Sequence, residues 1–564
     1  MRPGVEPFSI VHVGEIPDLG ERPVECDDVR IRNVLDHAPM TPVGREINET
    51  RPAYGLFSAD DFLVGKGEAA ASLNHAILPQ ALWFFRAETV AVPAPERPVA
   101  GFDPAVPALR DLECWNAKTP ADALGDYPGI IWVAGAEVIE PARLDDGGER
   151  LRTPGGGLPF SLTPKIPSNL SYWNEKSRAF FAHRDLRLRG ATVGGGFVAR
   201  SIWPLDFRLD PAAPVSAIEL TPQALRDAVR GEPRGGAQSE FASRVVWQRT
   251  PESACSRAGR PVIGLMLNGA QGDDDEAHAG HFSVLTGRVG AHGEMHDWLV
   301  ANYYTLASES EKGILPAMLP LENFLTDLNS GQSWYRPSSM LVAVLRDERA
   351  AVRLCSAQAR LFNHYYRYPL AYHHAVANCT GISVSTLRTL GWRVPALGAT
   401  GWLKAFAALP LIALKSGKLG KGKAMFDYLT EDRTRLLPAL AFEQAGADLL
   451  RLVGGRAARP LSGFETWLAQ DVEEILFVRI PQLPSSRAWG DYPVASVDEY
   501  QARLPKEPAQ QKIIPVEKRT FPASFGTLVE PGRQALRSDC AVAGMLFVIA
   551  LVCVAALAYS GVLQ

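Results

Sequence analysis

The pattern of apolar positions divides the chain into a first half with short, strand-like stretches and a second half where helical periodicity dominates. Alternating stretches around a GGG turn at 184–209 predict strands in the first half. An uninterrupted apolar run at 261–269 and an aromatic, β-branched run at 298–306 predict two more strands. Three later stretches have helical patterns, 309–366, 379–390 and 424–480. The pattern therefore predicts an α+β protein with a β-rich N-terminal half.

The longest apolar run is near the C-terminus, where residues 540–559 include no charged side chain. A helix of that length spans roughly 30 Å, about the thickness of a bilayer core. Arg533 and Arg537 precede the run and no basic residue follows it, which predicts that the main body faces the cytoplasm. We expect a single-pass membrane protein with a C-terminal transmembrane helix, and a buried core helix is the alternative.

A second apolar block covers residues 397–414, where Lys404 is the one charged residue and Pro410 interrupts the run. Four further lysines follow closely, Lys415, Lys418, Lys421 and Lys423. An apolar block beside a lysine cluster is typical of a segment that lies on a membrane surface. A core helix with a basic end is an equally good interpretation.

Composition narrows the range of functions. With 564 residues, 46% hydrophobic and 21% charged, the chain can form substantial cores. A net charge of −4 gives no reason to expect nucleic-acid binding. The seven cysteines are widely spaced without a CxxC pair, which argues against a disulfide framework and favours free thiols in a reducing compartment. No spacing typical of a metal or dinucleotide site occurs, so we predict no cofactor and no metal.

The candidate chemistry centres on Cys379, which follows Asn378 at the start of a predicted helix that Gly391 ends. The N-terminus of a helix favours the thiolate over the thiol. A thiolate that attacks a carbonyl needs a histidine to manage the proton, and His281, which opens a predicted strand, is the best candidate. The structural alternative is a cysteine that is simply part of the core.

Two stretches, GHFSVLTGRV with its leading histidine and NCTGISVSTLRTLG with its Asn-Cys helix start, resemble the circularly permuted branch of the papain-like superfamily. This branch includes the lecithin retinol acyltransferase group and bacterial permuted NlpC-like hydrolases. The resemblance implies that Cys379 is the nucleophile and His281 the general base. It further implies an orienting residue near the start of the next strand, either His296 or, as the alternative, Asp297. The backbone N–H of Cys379 would then serve as an oxyanion-hole donor.

The predicted organisation has six parts. They are an N-terminal mixed region (1–90), a β-rich domain (109–250), a permuted papain-like catalytic domain (255–395), a helical region with the apolar-basic segment (396–480), a Pro-rich linker (481–537) and the transmembrane anchor (540–559).

The predicted function is that of a membrane-anchored cysteine hydrolase or acyltransferase that acts through an acyl-thioester on a lipid ester or amide. An amidase or peptidase acting on protein or peptide is the second hypothesis. A non-catalytic membrane scaffold that keeps a degenerate cysteine-hydrolase fold is the third. The expected partners are membrane lipid and, through residues 1–250, another protein, with no nucleic acid among them.

Overall fold

The computed structural model describes residues 53–68, 79–103, 105–162, 173–219, 221–231, 240–250, 256–269, 278–303, 317–326, 336–367, 372–483 and 493–510. The predicted anchor at 540–559 lies outside these residues, as do most of the predicted linker and much of the N-terminal region. Among the helices within the described ranges, none is both long enough and apolar enough to cross a membrane.

The strands, in chain order, are β1 (Ala53–Tyr54), β2 (Phe57–Ser58), β3 (Phe62–Lys66), β4 (Thr89–Pro93), β5 (Ile131–Trp132), β6 (Glu137–Leu144), β7 (Arg150–Thr153), β8 (Gly156–Leu162), β9 (Leu186–Val193), β10 (Gly196–Pro204), β11 (Ala242–Gln248), β12 (Pro261–Asn268), β13 (His281–Arg288), β14 (Leu299–Asn302), β15 (Ala317–Pro320), β16 (Ser338–Leu345) and β17 (Val472–Ile480).

The helices are α1 (Pro79–Phe84), α2 (Ala108–Lys118), α3 (Glu175–Phe181), α4 (Pro222–Arg230), α5 (Leu321–Thr326), α6 (Arg349–Arg367), α7 (Cys379–Thr389), α8 (Trp402–Ser416), α9 (Leu419–Thr430), α10 (Arg433–Leu436), α11 (Pro438–Val453), α12 (Gly463–Asp471) and α13 (Val497–Arg503). The α+β class predicted from the sequence is therefore confirmed.

A ten-stranded sheet forms the centre of the fold, in the order β11-β17-β16-β12-β13-β14-β15-β5-β4-β3. Its neighbouring strands are antiparallel except for β15 and β5, which run parallel. Every residue of β12 and β16 is buried, as expected for strands whose two faces are both covered. Because the sheet combines β3–β5 and β11 with β12–β17, strands from both halves of the chain share one core.

The strands between β5 and β11 form a separate closed barrel, in the order β10-β8-β7-β6-β9. Its β9–β10 hairpin turns at Gly194 and Gly195, whose φ angles of 59° and 81° suit glycine. The prediction of strands around a GGG turn is confirmed. The barrel accounts for much of the β-rich character of the N-terminal half.

Several other elements match the sequence patterns, namely β12, β13, β14, α6 and α7. The predictions of helical pattern at 309–366 and 424–480 are wrong over β15, β16 and β17, which are interior strands of the sheet. Buried apolar runs fill most of β16 and the middle of β17 (475–478), and an apolar run without alternation fits a buried strand as well as a buried helix. Tertiary pairing decides between the two, because β16 pairs with both β12 and β17.

The cysteines only partly follow the expectation of free thiols. Cys355 and Cys379 are free and buried. Cys114, on α2, is disulfide-bonded, so the expectation is wrong at that residue.

Candidate active site

The first part of the site is the start of α7, where Asn378 caps the helix. Its side-chain oxygen accepts a hydrogen bond from the backbone N–H of Gly381 at 2.6 Å. Its side-chain nitrogen donates to the carbonyl of His374, also at 2.6 Å. These two bonds fix the helix start, so that Cys379 becomes the first helical residue. At the other end, Gly391 takes a φ of 103° just beyond the helix, as the sequence predicted.

The second part is the start of β13, where His281 follows Gly280. Gly280 has a φ of +73°, and a Cβ atom there would lie 2.5 Å from the carbonyl oxygen of Asn268 and 2.5 Å from Cγ of Pro493. A larger residue would therefore both strain the backbone and collide with β12. Glycine at this position lets the chain enter the strand with His281 directly beside Asn268.

The structure brings Cys379 and His281 together. Burial by itself would raise the pKa of the Cys379 thiol, but the charge of His281 and a side-chain hydrogen bond from it outweigh that effect. Hydrogen bonds from the backbone N–H of Phe282 and from the hydroxyl of Thr380 act in the same direction, and the pKa falls to about 6. These interactions therefore favour the thiolate of Cys379, the form needed for nucleophilic attack.

Polar side chains surround this pair on one face of the sheet. Asn268 pairs directly with His281 in the β12–β13 register and with Ser338 in the β12–β16 register. Its side-chain nitrogen donates to the Ser338 hydroxyl at 2.8 Å. The ring of Phe324, on α5, lies 6.0 Å from the His281 ring, centroid to centroid. His281 thus lies among an amide, a hydroxyl and an aromatic ring.

Three buried polar atoms near the site have no hydrogen-bond partner within the described part of the chain. They are the side-chain oxygens of Asn268, Ser283 and Asn302. Ser283 is two residues from His281 on β13, so the two side chains point to the same face. Continuing the β13–β14 register by one pair places Asn302 opposite Ser283. Buried polar atoms are rarely left without partners, so these three oxygens are candidates for contact with a bound ligand.

The structure does not bring His296 or Asp297 to the pair. Both precede β14, whose first residue, Leu299, pairs with Thr286 of β13. Thr286 is itself about 16 Å from His281 along the strand at ~3.3 Å per residue. Because the strands are antiparallel, the start of β14 lies at the far end of β13 from His281.

His296 and Asp297 belong instead to a buried ionic network. Nε2 of His296 lies 3.2 Å from a carboxylate oxygen of Asp297, and Arg187 from the barrel lies 3.4 Å from the other oxygen. Glu322 accepts hydrogen bonds from Arg187 at 2.8 Å and from Arg189 at 2.6 Å. Despite complete burial, the positive charges of the two arginines hold the pKa of the Glu322 carboxyl below its usual range. The network joins β9 of the barrel to α5 and the start of β14.

Sequence reasoning identified Cys379, His281 and the Asn378 cap, but it missed Asn268, Ser283 and Asn302. The available signal was a polar residue at or near the end of an otherwise apolar strand, as in PVIGLMLN. Only the strand register shows that these residues neighbour His281. Within the described ranges, no group of three or more His, Cys, Asp and Glu side chains is arranged to hold a metal ion.

Comparison with models of protein families, with curated proteins and with solved structures gives no match for this chain. The function of this chain is therefore inferred from the geometry and electrostatics of the site itself.

Proposed function

We propose that the protein is a cysteine hydrolase or acyltransferase of the permuted papain-like type, acting through an acyl-thioester on Cys379. One observation carries the proposal: His281 lies against Cys379 at the capped start of α7, where its charge and hydrogen bond lower the pKa of the thiol despite burial. A buried cysteine without a positively charged partner has a raised pKa, and burial together with the negative charge of Asp126 raises the pKa of the Cys355 thiol on α6 to about 12. The two buried thiols of this protein thus have pKa values shifted in opposite directions, upward at Cys355 and downward at Cys379.

In the proposed reaction the Cys379 thiolate attacks the carbonyl carbon of an ester or amide and forms a C–S bond. The C–O or C–N bond to the leaving group then breaks, and protonated His281 gives its proton to the departing alcohol or amine. Next, water or an acceptor alcohol or amine attacks the thioester while His281 takes up its proton. The thiolate leaves, and the product is a free acid or a transferred acyl group.

Two further groups have roles in this proposal. The backbone N–H of Cys379 lies at the positive end of α7, where it can donate to the oxyanion of the tetrahedral intermediate. Asn268 serves as the positioning residue for the His281 ring, in place of His296 or Asp297. Its direct pairing with His281 supports this role, and its side-chain oxygen, which has no partner among the described residues, has the capacity to accept a hydrogen bond from the imidazole.

The proposed substrate is a lipid ester or amide. This choice is supported by the exposed apolar side chains of α8 together with the lysines that follow them. It is also supported by the predicted membrane anchor in the sequence. A peptide substrate would have no use for such surfaces.

The test is to trap the acyl-enzyme. The full-length protein is incubated with a phospholipid or, in parallel, with an N-acyl peptide, and the intact mass is measured after rapid acid quenching. We expect an acyl adduct on Cys379 that neutral hydroxylamine removes, formed from the lipid and not from the peptide. Cys379→Ser should reduce turnover at least about a thousandfold.

Cys355→Ser is the matched control, because it removes a buried thiol with the opposite pKa shift and should retain both adduct and turnover. An adduct formed only from the peptide would favour the amidase or peptidase hypothesis. No adduct, together with no selective labelling of Cys379 by iodoacetamide, would refute catalysis and leave the scaffold hypothesis.

A further inference from the structure

Helices α8 and α9 form a hairpin whose outer surface is apolar. Ala405 and Leu409 of α8 pack against Phe426 and Leu429 of α9, and these four residues form a small core of their own. Gly422 permits this close contact, since a Cβ there would lie 2.3 Å from the carbonyl oxygen of Leu409. The hairpin therefore has its own packing and does not need its outer face for folding.

The outer face carries an unusual concentration of exposed apolar side chains. Of the ten large hydrophobic residues that are exposed within the described part of the chain, six belong to the hairpin. They are Trp402, Leu403, Phe406, Leu411, Leu414 and Leu419. Leu403 and Leu414 are 88% and 82% exposed. An exposed apolar patch of this kind marks an interaction site.

These residues follow helical geometry. Leu403, Phe406, Pro410 and Leu414 recur at spacings of three and four, so they share one face of α8. At 100° per residue, Leu403 and Leu414 point away from Ala405 and Leu409, which pack on α9. Phe406 lies at the border of the two faces, and its ring centroid is 5.3 Å from that of Phe426.

The charge of the hairpin identifies the class of partner. Residues 402–430 contain five lysines and a single acidic residue, Asp427. On the helical wheel, Lys404 and Lys415 lie beside the apolar stripe of α8, and both are exposed. An apolar face bordered by lysines fits the interface of a bilayer that contains anionic lipid, where the leucines enter the acyl region and the lysines meet the headgroups.

The hairpin is also close to the candidate site. Tyr428 of α9 packs on an apolar cluster that includes Ala375, four residues before Cys379. Burial and the charge of Lys423 both lower the pKa of His373 in the same segment. The chain leading into the Cys379 helix therefore shares an apolar cluster with the second helix of the hairpin.

We propose that the α8–α9 hairpin is a docking surface for an anionic lipid bilayer. It holds the segment before Cys379 near the membrane surface. The binding itself does not depend on catalysis, whereas its role in supplying lipid to Cys379 rests on the proposed function.

The test uses the full-length chain reconstituted in vesicles, so that any other membrane attachment is present in every sample. The photo-crosslinking amino acid p-benzoylphenylalanine replaces Leu403 or, as the matched control, Leu124, which is 91% exposed outside the hairpin. The vesicles contain phosphatidylcholine, with or without 30% phosphatidylglycerol (about one lipid in three, enough to give a negative surface). After irradiation, lipid adducts are counted by mass spectrometry.

We expect lipid adducts at position 403 and at least about tenfold fewer at position 124, because only the former enters the bilayer. Lys404→Glu/Lys415→Glu should lower the yield at 403 at least about tenfold in the phosphatidylglycerol vesicles, since the new carboxylates repel the anionic headgroups. Equal yields at the two positions, or none at 403, would overturn the proposal.

A second measurement excludes an artefact of the crosslinker. Hydrogen–deuterium exchange of the unmodified chain should slow across 402–416 when phosphatidylglycerol is included, and not across α13. Repeating the crosslinking in Cys379→Ser separates the two proposals. Adducts in a chain without turnover would support docking alone, and turnover of lipid without adducts at 403 would support the catalytic proposal alone.

Discussion

Two buried polar clusters occupy opposite ends of the β13–β14 pair, and they differ in how their charges are balanced. At one end, Glu322 receives hydrogen bonds from two arginines, and Asp297 lies between Arg187 and His296. At the other end, the Cys379 thiolate faces one histidine, and the nearby oxygens of Asn268 and Asn302 have no partner in the described residues.

The comparison teaches that burial and charge alone do not mark a functional site. In the ionic network the opposite charges are paired, as expected for a cluster that joins two structural units. At the Cys379 end the polar groups leave hydrogen-bonding capacity unused, which a substrate or an ordered water can satisfy. His296 and Asp297 belong to the paired network, and the antiparallel register places them at the far end of β13 from His281.

The largest expected effect is a loss of stability when the ionic network is broken. Glu322→Ala would leave Arg187 and Arg189 buried without their shared carboxylate and should lower the free energy of unfolding by about 3–5 kcal/mol. Glu68→Ala, which removes the exposed ion pair with Arg86, is the control and should cost less than about 1 kcal/mol. Urea denaturation followed by tryptophan fluorescence measures both. Similar values for the two variants would contradict the contrast between the clusters.

The next largest effect is a shift in the pH midpoint at which the Cys379 thiol loses its proton. In the native protein the rate of iodoacetamide labelling of Cys379 should rise with pH around a midpoint of about 6. His281→Ala removes the charge that lowers the pKa and leaves the burial that raises it, so the midpoint should move above about 8.5. In Glu322→Ala, measured where the protein is still folded, the midpoint should stay near 6. If His281→Ala leaves the midpoint unchanged, the two residues do not act as a pair.

The smallest expected effect is a loss of kcat when Asn268, which is proposed to position the His281 imidazole, is replaced. Asn268→Ala should reduce kcat for the lipid ester at least about tenfold with little change in KM, because the His281 ring loses its orientation. Asn268→Gln, which keeps the amide, should recover part of the rate. His296→Ala is the comparison from the other cluster and should leave kcat within about twofold of native. A larger loss in His296→Ala than in Asn268→Ala would reverse the assignment.

Local sequence signals predicted the positions of Cys379 and His281 in their elements better than they predicted the sheet around them. Cys379 and His281 each start a regular element, and their local signals, an Asn cap and a glycine before a strand, are contained within a few residues. Asn268 could not be assigned in this way, since its relation to His281 depends on strand register. For the same reason β16 and β17 were predicted as helices, because what makes them strands is pairing with distant partners.

The place of β17 in the sheet has a consequence for the order in which the protein can assemble during synthesis. β17 lies between β16 and β11, and it is the last strand of the sheet to be made. Until residues 472–480 leave the ribosome, β16 has an open edge whose residues are destined to be buried. Such an edge readily pairs with other chains. A nascent chain that stalls before residue 472 is therefore expected to need a chaperone, and a truncated one to aggregate.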